Sequence, residues 1–455
     1  MLKTTRTSLH AHMSGILVAD LPKTFRDAVA VSRYLDIPYL WIDSLCIIQG
    51  DTEDWVRESS RMTNVYSNAY LVIAANQASD SAGGCFHIRP SRVSANLALP
   101  GTGLVHAQLG VNSDELLFLS AKFSDEPLTK RAWALQERLL AARTIHYNTG
   151  QMYFECRDGI VGEDGCKSDT PYCDLSPIMN HTCSTREALQ TWSSILWTYG
   201  DRNLTEPTDK FPAISGMANL LGAMLKDEYV AGLWSSKMVQ GLAWQGLGRQ
   251  LQPINQYIGP SWSWASLQGI AALNTEPNWR SIAIVEDWRV ELKNPDNRYG
   301  QVNSASMRVR GPIIQLMEST IPGGDYDNSL KRAGLRPKPR FRTKYSGEGG
   351  EMTLYLDNEG QNASVQWEEM DMKVLLLGGY EATPPASECE AEEEALKKDK
   401  GNWDFEIGEG FGLVLTSKNE NGAIYMTRVG WMALVCSEVK RLRESKEDWD
   451  TVTII

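Results

Sequence analysis

Asp43, Trp55 and Glu58 lie close together in the stretch YLWIDSLCIIQGDTEDWVRESSRM (39–62). Along 54–66, Trp55, Met62, Val65 and Tyr66 recur at helical spacing, and Glu58 with Ser59 fills the turn that this stripe skips. A carboxylate thus interrupts an apolar face. An ionised carboxylate is costly to bury unless it is paired or hydrogen-bonded. Two readings stand: a structural ion pair with Arg57 or Arg61, or a functional acid with a perturbed pKa. Asp43 ends the apolar part of its run. It sits either near the carboxyl end of a strand, where open α/β sheets gather ligands, or on a backbone turn that it caps. Ser44 and Cys46 flank it, and Cys46, between Leu45 and Ile47, reads as a small core residue.

Other catalytic signatures are absent. The chain has no G-x-S-x-G elbow, no phosphate-binding G-x-x-x-x-G-K loop, no H-E-x-x-H and no G-x-G-x-x-G. With six histidines in 455 residues, carboxylate chemistry is easier to assemble than histidine chemistry. His146 reads as strand packing. Cys156, Cys166, Cys173, His181 and Cys183 contain no C-x-x-C knuckle, so they read as loop thiols and no metal is expected.

The elements that must carry these residues follow from periodicity. Residues 21–35 read as an amphipathic helix, with Leu21, Phe25, Ala28, Val29, Ser32 and Leu35 on one stripe. YLWIDSLCII then reads as a buried strand, Asp51 or Thr52 as the cap of a helix to about Tyr66, and AYLVIAANQ (69–77) as a second buried strand. Helix, strand, helix and strand with short connections predict a parallel α/β sheet. Residues 126–143 return to helix, and TIHYNTGQMYFEC reads as a hairpin around Asn148–Gly150. Residues 185–250 are mainly helical, with Trp192, Trp197, Trp234 and Trp244 as core bulk. Beyond 255 strands dominate: SWSWAS, SIAIVEDWRVEL, SASMRVRGPIIQL, and GFGLVLTS with GAIYMTRVGWMALV as a hairpin across KNENG. The reading is an α/β domain over 1–160, a mainly helical region over 161–250 and a β-rich region over 251–455. Mobile insertions are expected near 325–350 and 382–402.

Composition narrows the partners. Hydrophobic residues at 42% and charged residues at 22% describe a globular chain rather than a disordered one. A net charge of −12 opposes general binding to nucleic acid or anionic membrane. The basic run KRAGLRPKPRFRTK (331–344) reads as a solvated loop or a patch for an acidic partner. No stretch reaches the ~20 apolar residues of a membrane helix. The first residues lack the apolar core of a secretory signal, and sparse cysteines fit reduced thiols in the cytoplasm.

Residues 21–75, LPKTFRDA through VIAA, resemble the central signature of the fungal heterokaryon-incompatibility (HET) domain, and RAWALQERLLAARTIHY with QMYFEC resembles its later block. YGDRNLTEPTDKFPAISGMA, YVAGLW, PSWSWAS and the final TVTII are similar to the regions that follow this domain in many members. The usual opening strand, Y-x-A-L-S-Y-x-W-G, has no counterpart here. The resemblance implies a remote relation to TIR domains, which have a flavodoxin-like parallel sheet. Many of these hydrolyse NAD through the glutamate of a W-C-x-x-E helix. Trp55-Val56-Arg57-Glu58 matches that motif except for the cysteine. By this resemblance Glu58 is the catalytic acid, and Asp43, Ser44 and Trp55 bind the substrate. NAD is then a substrate and no cofactor is needed. The implied role is nonself recognition leading to programmed cell death. The alternatives are a self-associating signalling module with protein partners but no chemistry, and an enzyme of specialised metabolism acting on a small molecule.

Overall fold

The computed structural model describes residues 2–89, 94–99, 103–108, 125–168, 175–318, 340–342, 352–357, 371–381, 407–420 and 422–455. The insertion expected near 382–402 lies outside these residues. Of the one near 325–350 only the backbone of Arg340–Arg342 is described, as a strand. The chain divides into two compact units: residues 1–183 with 201–224, and residues 184–200 with 225–455.

The first unit is a mixed α/β body. After α1 (Leu9–Ser14), α2 (Lys23–Tyr34) begins behind Pro22, whose fixed φ suits a helix start, and buries Phe25, Ala28 and Val31. The expected strand at 39–48 is not one. Ile42 is extended, and Asp43–Cys46 then close a single helical turn, α3, with the Ser44 N–H donating to the Asp43 carboxylate at 2.6 Å. A short acid that bonds its own backbone competes with ladder pairing, which is why the apolar run breaks there. Cys46 is exposed rather than core. Next comes α4 (Thr52–Asn68), capped by the Asp51 carboxylate on the Glu53 and Asp54 amides at 3.2 Å each.

Strand β1 (Val72–Ala74) pairs in parallel with β2 (Arg143–Tyr147), so the sheet has the expected parallel element. The remaining pairs are antiparallel: β2 with β3 (Met152–Cys156), β3 with β4 (Gly159–Gly162), and β4 with β5 (Lys167–Ser168). The hairpin expected across Asn148–Gly150 is the β2–β3 turn. Val31, Ala75, Cys85 and Tyr147 pack as one buried cluster between α2 and the sheet. Helix α5 (Trp133–Leu140) buries Leu135, Gln136 and Leu140. The Gln136 side-chain oxygen accepts from the Gly216 amide at 2.7 Å and so holds the helix Ser215–Leu225 against α5.

A buried polar network sits at the β1 and β2 ends. Asn76 Nδ2 donates to His146 Nδ1 at 3.1 Å and to Asn148 Oδ1 at 2.8 Å, which leaves the histidine proton on Nε2, facing Glu155 at 2.8 Å. Arg138 grips the same carboxylate with two bonds, 2.7 and 3.1 Å. Burial alone would raise Glu155, but Arg138 and His146 outweigh it and hold the carboxyl at about 2. Burial lowers His146 against the opposing pull of Glu155. Both depressed values make the unfolded chain the better proton binder on acidification. Stability is therefore lost as pH falls below 6.5 through His146, and from 4.5 down to about 2 through Glu155. In urea titrations between pH 7 and 2.5, Glu155→Gln is expected to flatten the slope of stability below pH 4.5. An unchanged slope would refute the assignment.

The second unit is β-rich, as expected from the sequence. Helix Thr185–Gly200 buries Trp192, Ile195, Leu196 and Tyr199, with the Trp192 ring edge-on to Trp234 at 5.9 Å. Trp197 remains 47% exposed and is not core. A Cβ on Gly200 would stand 2.5 Å from the Gly269 carbonyl oxygen, so this close approach requires glycine. SWSWAS is a turn and a short 3₁₀ segment at Trp264–Ser266, because the Ser263 hydroxyl caps the Ala265 amide.

Strand β6 (Ile284–Leu292) pairs with β7 (Val302–Gln315) outside a closed ring. That ring runs from β7 to β8 (Met372–Glu381), β9 (Ile407–Glu420), β10 (Ala423–Val435) and β11 (Trp449–Ile454), then back to β7. The β10–β11 pair is parallel, at Met426 and Ile454, and the others are antiparallel. The ring closes through that single residue pair. Ile314, Val374, Leu376, Val414, Met432 and Leu434 form one buried cluster.

Candidate functional site

In the first unit a cavity of about 540 Å³ opens between α2, the segment 37–43, the end of α4 and β1. Much of its wall is apolar, with Thr24, Ser32, Asn64 and Asn68 as neutral polar groups, and its two acids, Asp43 and Glu137, line it together with Tyr66. Each arrives on a different element. Asp43 begins the α3 turn, Tyr66 ends the apolar face of α4, and Glu137 sits in the middle of α5, half-buried at the wall. The Trp41 ring also lines the cavity and meets Tyr66 edge-on at 5.7 Å.

The electrostatics of this trio are strained. Burial pushes the Glu137 carboxyl up to about 7, with Arg131 and Arg202 pulling against the rise and the nearby Asp43 charge adding to it. Tyr66 is driven well above the ordinary phenol range by burial, then by the charges of Glu137 and Asp43, and its hydroxyl bonds the Glu137 carboxyl. Two acids facing one partly desolvated site do not both ionise cheaply, so Glu137 exchanges its proton near neutral pH.

Of the residues singled out in the sequence, Asp43 lines this cavity, whereas Ser44, Trp55 and Glu58 do not. Ser44 is 1% exposed, and its hydroxyl has no hydrogen-bond partner among the described residues. Trp55 is half-buried on α4. The Glu58 side chain is 20% exposed and lies 3.2 Å from both Arg57 and Arg61, the two partners considered for it. The fully buried acid of this helix is Asp54, whose carboxylate accepts the Ile48 amide at 2.7 Å and pairs with Arg57. A capping signal marks it: Asp54 stands three residues after the cap Asp51 and reaches back along the chain.

Glu137 is not among the residues that the sequence singles out, although its helix spacing is like that of Glu58. It lies four residues after Trp133 and three before Leu140, on a helix side that carries apolar groups. Tyr66 belongs to the apolar stripe by its spacing, and its hydroxyl bonds the Glu137 carboxyl.

Residues 3–137 match the family model described as Heterokaryon incompatibility protein (HET). The chain carries a HET domain. No curated protein and no solved structure matches it. All the cavity residues named above fall within the HET match, Glu137 at its last position. Among the described residues no group of three His, Cys, Asp or Glu side chains is placed to hold a metal ion, and no helix is long and apolar enough to cross a membrane.

Proposed function

We propose that the HET domain binds NAD in the Asp43–Tyr66–Glu137 cavity and hydrolyses its nicotinamide–ribose bond. The observation that supports this reading is the paired acid site itself, with Glu137 pushed up to about 7 beside Asp43. Breaking the glycosidic bond sends its electron pair to the nicotinamide ring nitrogen, which leaves as a neutral base, and develops a ribosyl oxocarbenium ion. The Asp43 carboxylate stabilises that cation. Glu137, in its ionised form, takes a proton from the attacking water and returns it to solvent, a role for which a pKa near 7 suits a base working at neutral pH. Trp41 offers an aromatic face to the departing ring. The first unit is then a reduced relative of the TIR sheet, with helix α4 feeding β1 and β1 parallel to β2. Such a substrate places the reaction in the cytoplasm, in the service of nonself recognition and cell death.

Glu58 remains the other carboxylate that could act, because it occupies the glutamate position of the helix motif. One experiment separates the two. Purified protein is incubated with NAD, dilute and concentrated so that a need for self-association is seen, and nicotinamide is followed by chromatography. Glu137→Gln is expected to lower the rate on the order of 10²–10⁴-fold, and Glu58→Gln less than tenfold. The reverse ranking moves the acid to Glu58. A wild-type protein that releases no nicotinamide at either concentration overturns the proposal.

A further inference from the structure

The second unit contains a larger cavity, about 990 Å³, that the proposed chemistry does not use. It is bounded by the loop 254–261 and by strands β6, β7, β9 and β10. Its charges cancel. Arg289 and Lys418 face Glu291 and Glu420, and Lys418 pairs with Glu420. Between these charges the wall mixes hydroxyl and amide groups, Gln256, Asn303, Ser304 and Thr427 among them, with apolar ones such as Ile254 and Val290. Two tyrosines, Tyr257 and Tyr425, supply ring faces, and Tyr257 is 50% exposed.

Thr427 carries the argument further. Its hydroxyl is shielded from solvent and has no hydrogen-bond partner among the described residues, and the residue lines the cavity. Shielded as it is, this hydroxyl meets a ligand in the cavity only when the Thr427 side chain turns towards it, and such a turn would satisfy an otherwise unpaired group. By contrast, the neighbouring Ser261 hydroxyl is occupied by the Ile455 carbonyl and the Arg428 amide.

We propose that this cavity binds an uncharged polyhydroxylated ligand, namely a neutral oligosaccharide. Every feature fits that chemistry. Sugar hydroxyls both donate and accept, and the wall offers both, from amides, carboxylates, hydroxyls and a guanidinium. The apolar face of a pyranose ring stacks on an aromatic ring, and Tyr257 stands half free to receive it. The two basic side chains are matched by two acidic ones, so the wall lacks the clustered basic groups that phosphate or sulfate requires. The site lies apart in sequence from the HET match, so the second unit recognises a ligand of its own.

The full chain would be titrated by isothermal calorimetry with laminarihexaose, cellohexaose and chitohexaose, with inorganic pyrophosphate and heparin as charged probes. Saturable binding of at least one neutral sugar is expected. Tyr257→Ala should weaken it about tenfold, Tyr257→Phe should largely preserve it, and Thr427→Val should weaken it severalfold. Thermal unfolding of each variant shows whether the fold is kept, and Tyr34→Ala, an exposed ring of the first unit, serves as the control. The inference is overturned if no neutral sugar binds, if only the charged probes bind, or if binding survives Tyr257→Ala unchanged.

Discussion

Glu137→Gln is expected to make the protein more stable at pH 8 while it removes the proposed activity. The sign follows from linkage. The Glu137 carboxyl titrates at about 7 when folded and near 4.5 when unfolded, so between these values the folded chain holds the extra proton. Stability from this group is complete below about 4.5 and drains away as pH rises through 7. At pH 8 the ionised carboxylate costs about 3 kcal/mol, the product of that shift and 1.36 kcal/mol per unit. Glutamine keeps the shape and a hydrogen bond to Tyr66 but carries no charge, and so it removes most of the penalty. Urea unfolding at pH 5 and pH 8 measures this directly. Wild type should weaken relative to Glu137→Gln as pH rises between them. A variant less stable than wild type at pH 8 would mean that Glu137 is a structural acid, and the catalytic reading would lose its physical basis. A purely structural carboxylate gains from its ionised contacts, whereas a working one is held against its preference.

What the sequence disclosed of this site depended on how local each cause was. The helix at 23–34, the Asp51 cap, the β2–β3 hairpin and the β9–β10 hairpin are set by neighbours in the chain, and all four stand where the pattern placed them. The strand at 39–48 failed because a short apolar run says only that a segment wants burial. Whether it pairs depends on backbone bonds elsewhere, and here Asp43 spends its carboxylate on the Ser44 amide. The same limit hid the partner acid. Periodicity finds an acid on an apolar helix face, as it did for Glu58, but not which cavity that face meets. Asp43 and Glu137 are joined only by the packing of α5 beside α4, and no spacing in the sequence encodes that contact. The closed ring of the second unit was legible strand by strand. Its closure was not, since that rests on the parallel contact between Met426 and Ile454 across the helix Cys436–Glu444.

The largest stability change in the second unit is expected at Asp357. Its carboxylate meets Arg428 side-on, with Nε to Oδ2 at 2.5 Å and Nη2 to Oδ1 at 3.0 Å. The same guanidinium donates to the carbonyls of Leu242 and Trp244 at 2.8 Å each and stacks 3.5 Å from the Trp244 ring. Its side chain is wholly shielded from solvent, and four of its five N–H donors are served by these protein oxygens. Removing the acid alone strands this charge. Asp357→Ala should therefore cost about 3–5 kcal/mol, seen as a lower urea midpoint. The double variant Asp357→Ala with Arg428→Met removes both charges, fills much of the arginine's volume and should recover most of that loss. If the double variant is as unstable as the single one, the two carbonyls and the tryptophan face need the cation in their own right, and Arg428 holds β10 to the 242–244 segment without help from Asp357. If Asp357→Ala costs less than about 1 kcal/mol, water reaches the guanidinium and the pair behaves as an exposed one. Recovery in the double variant would show that the pair fixes which surfaces meet, and that burial of the surrounding apolar groups supplies the stability.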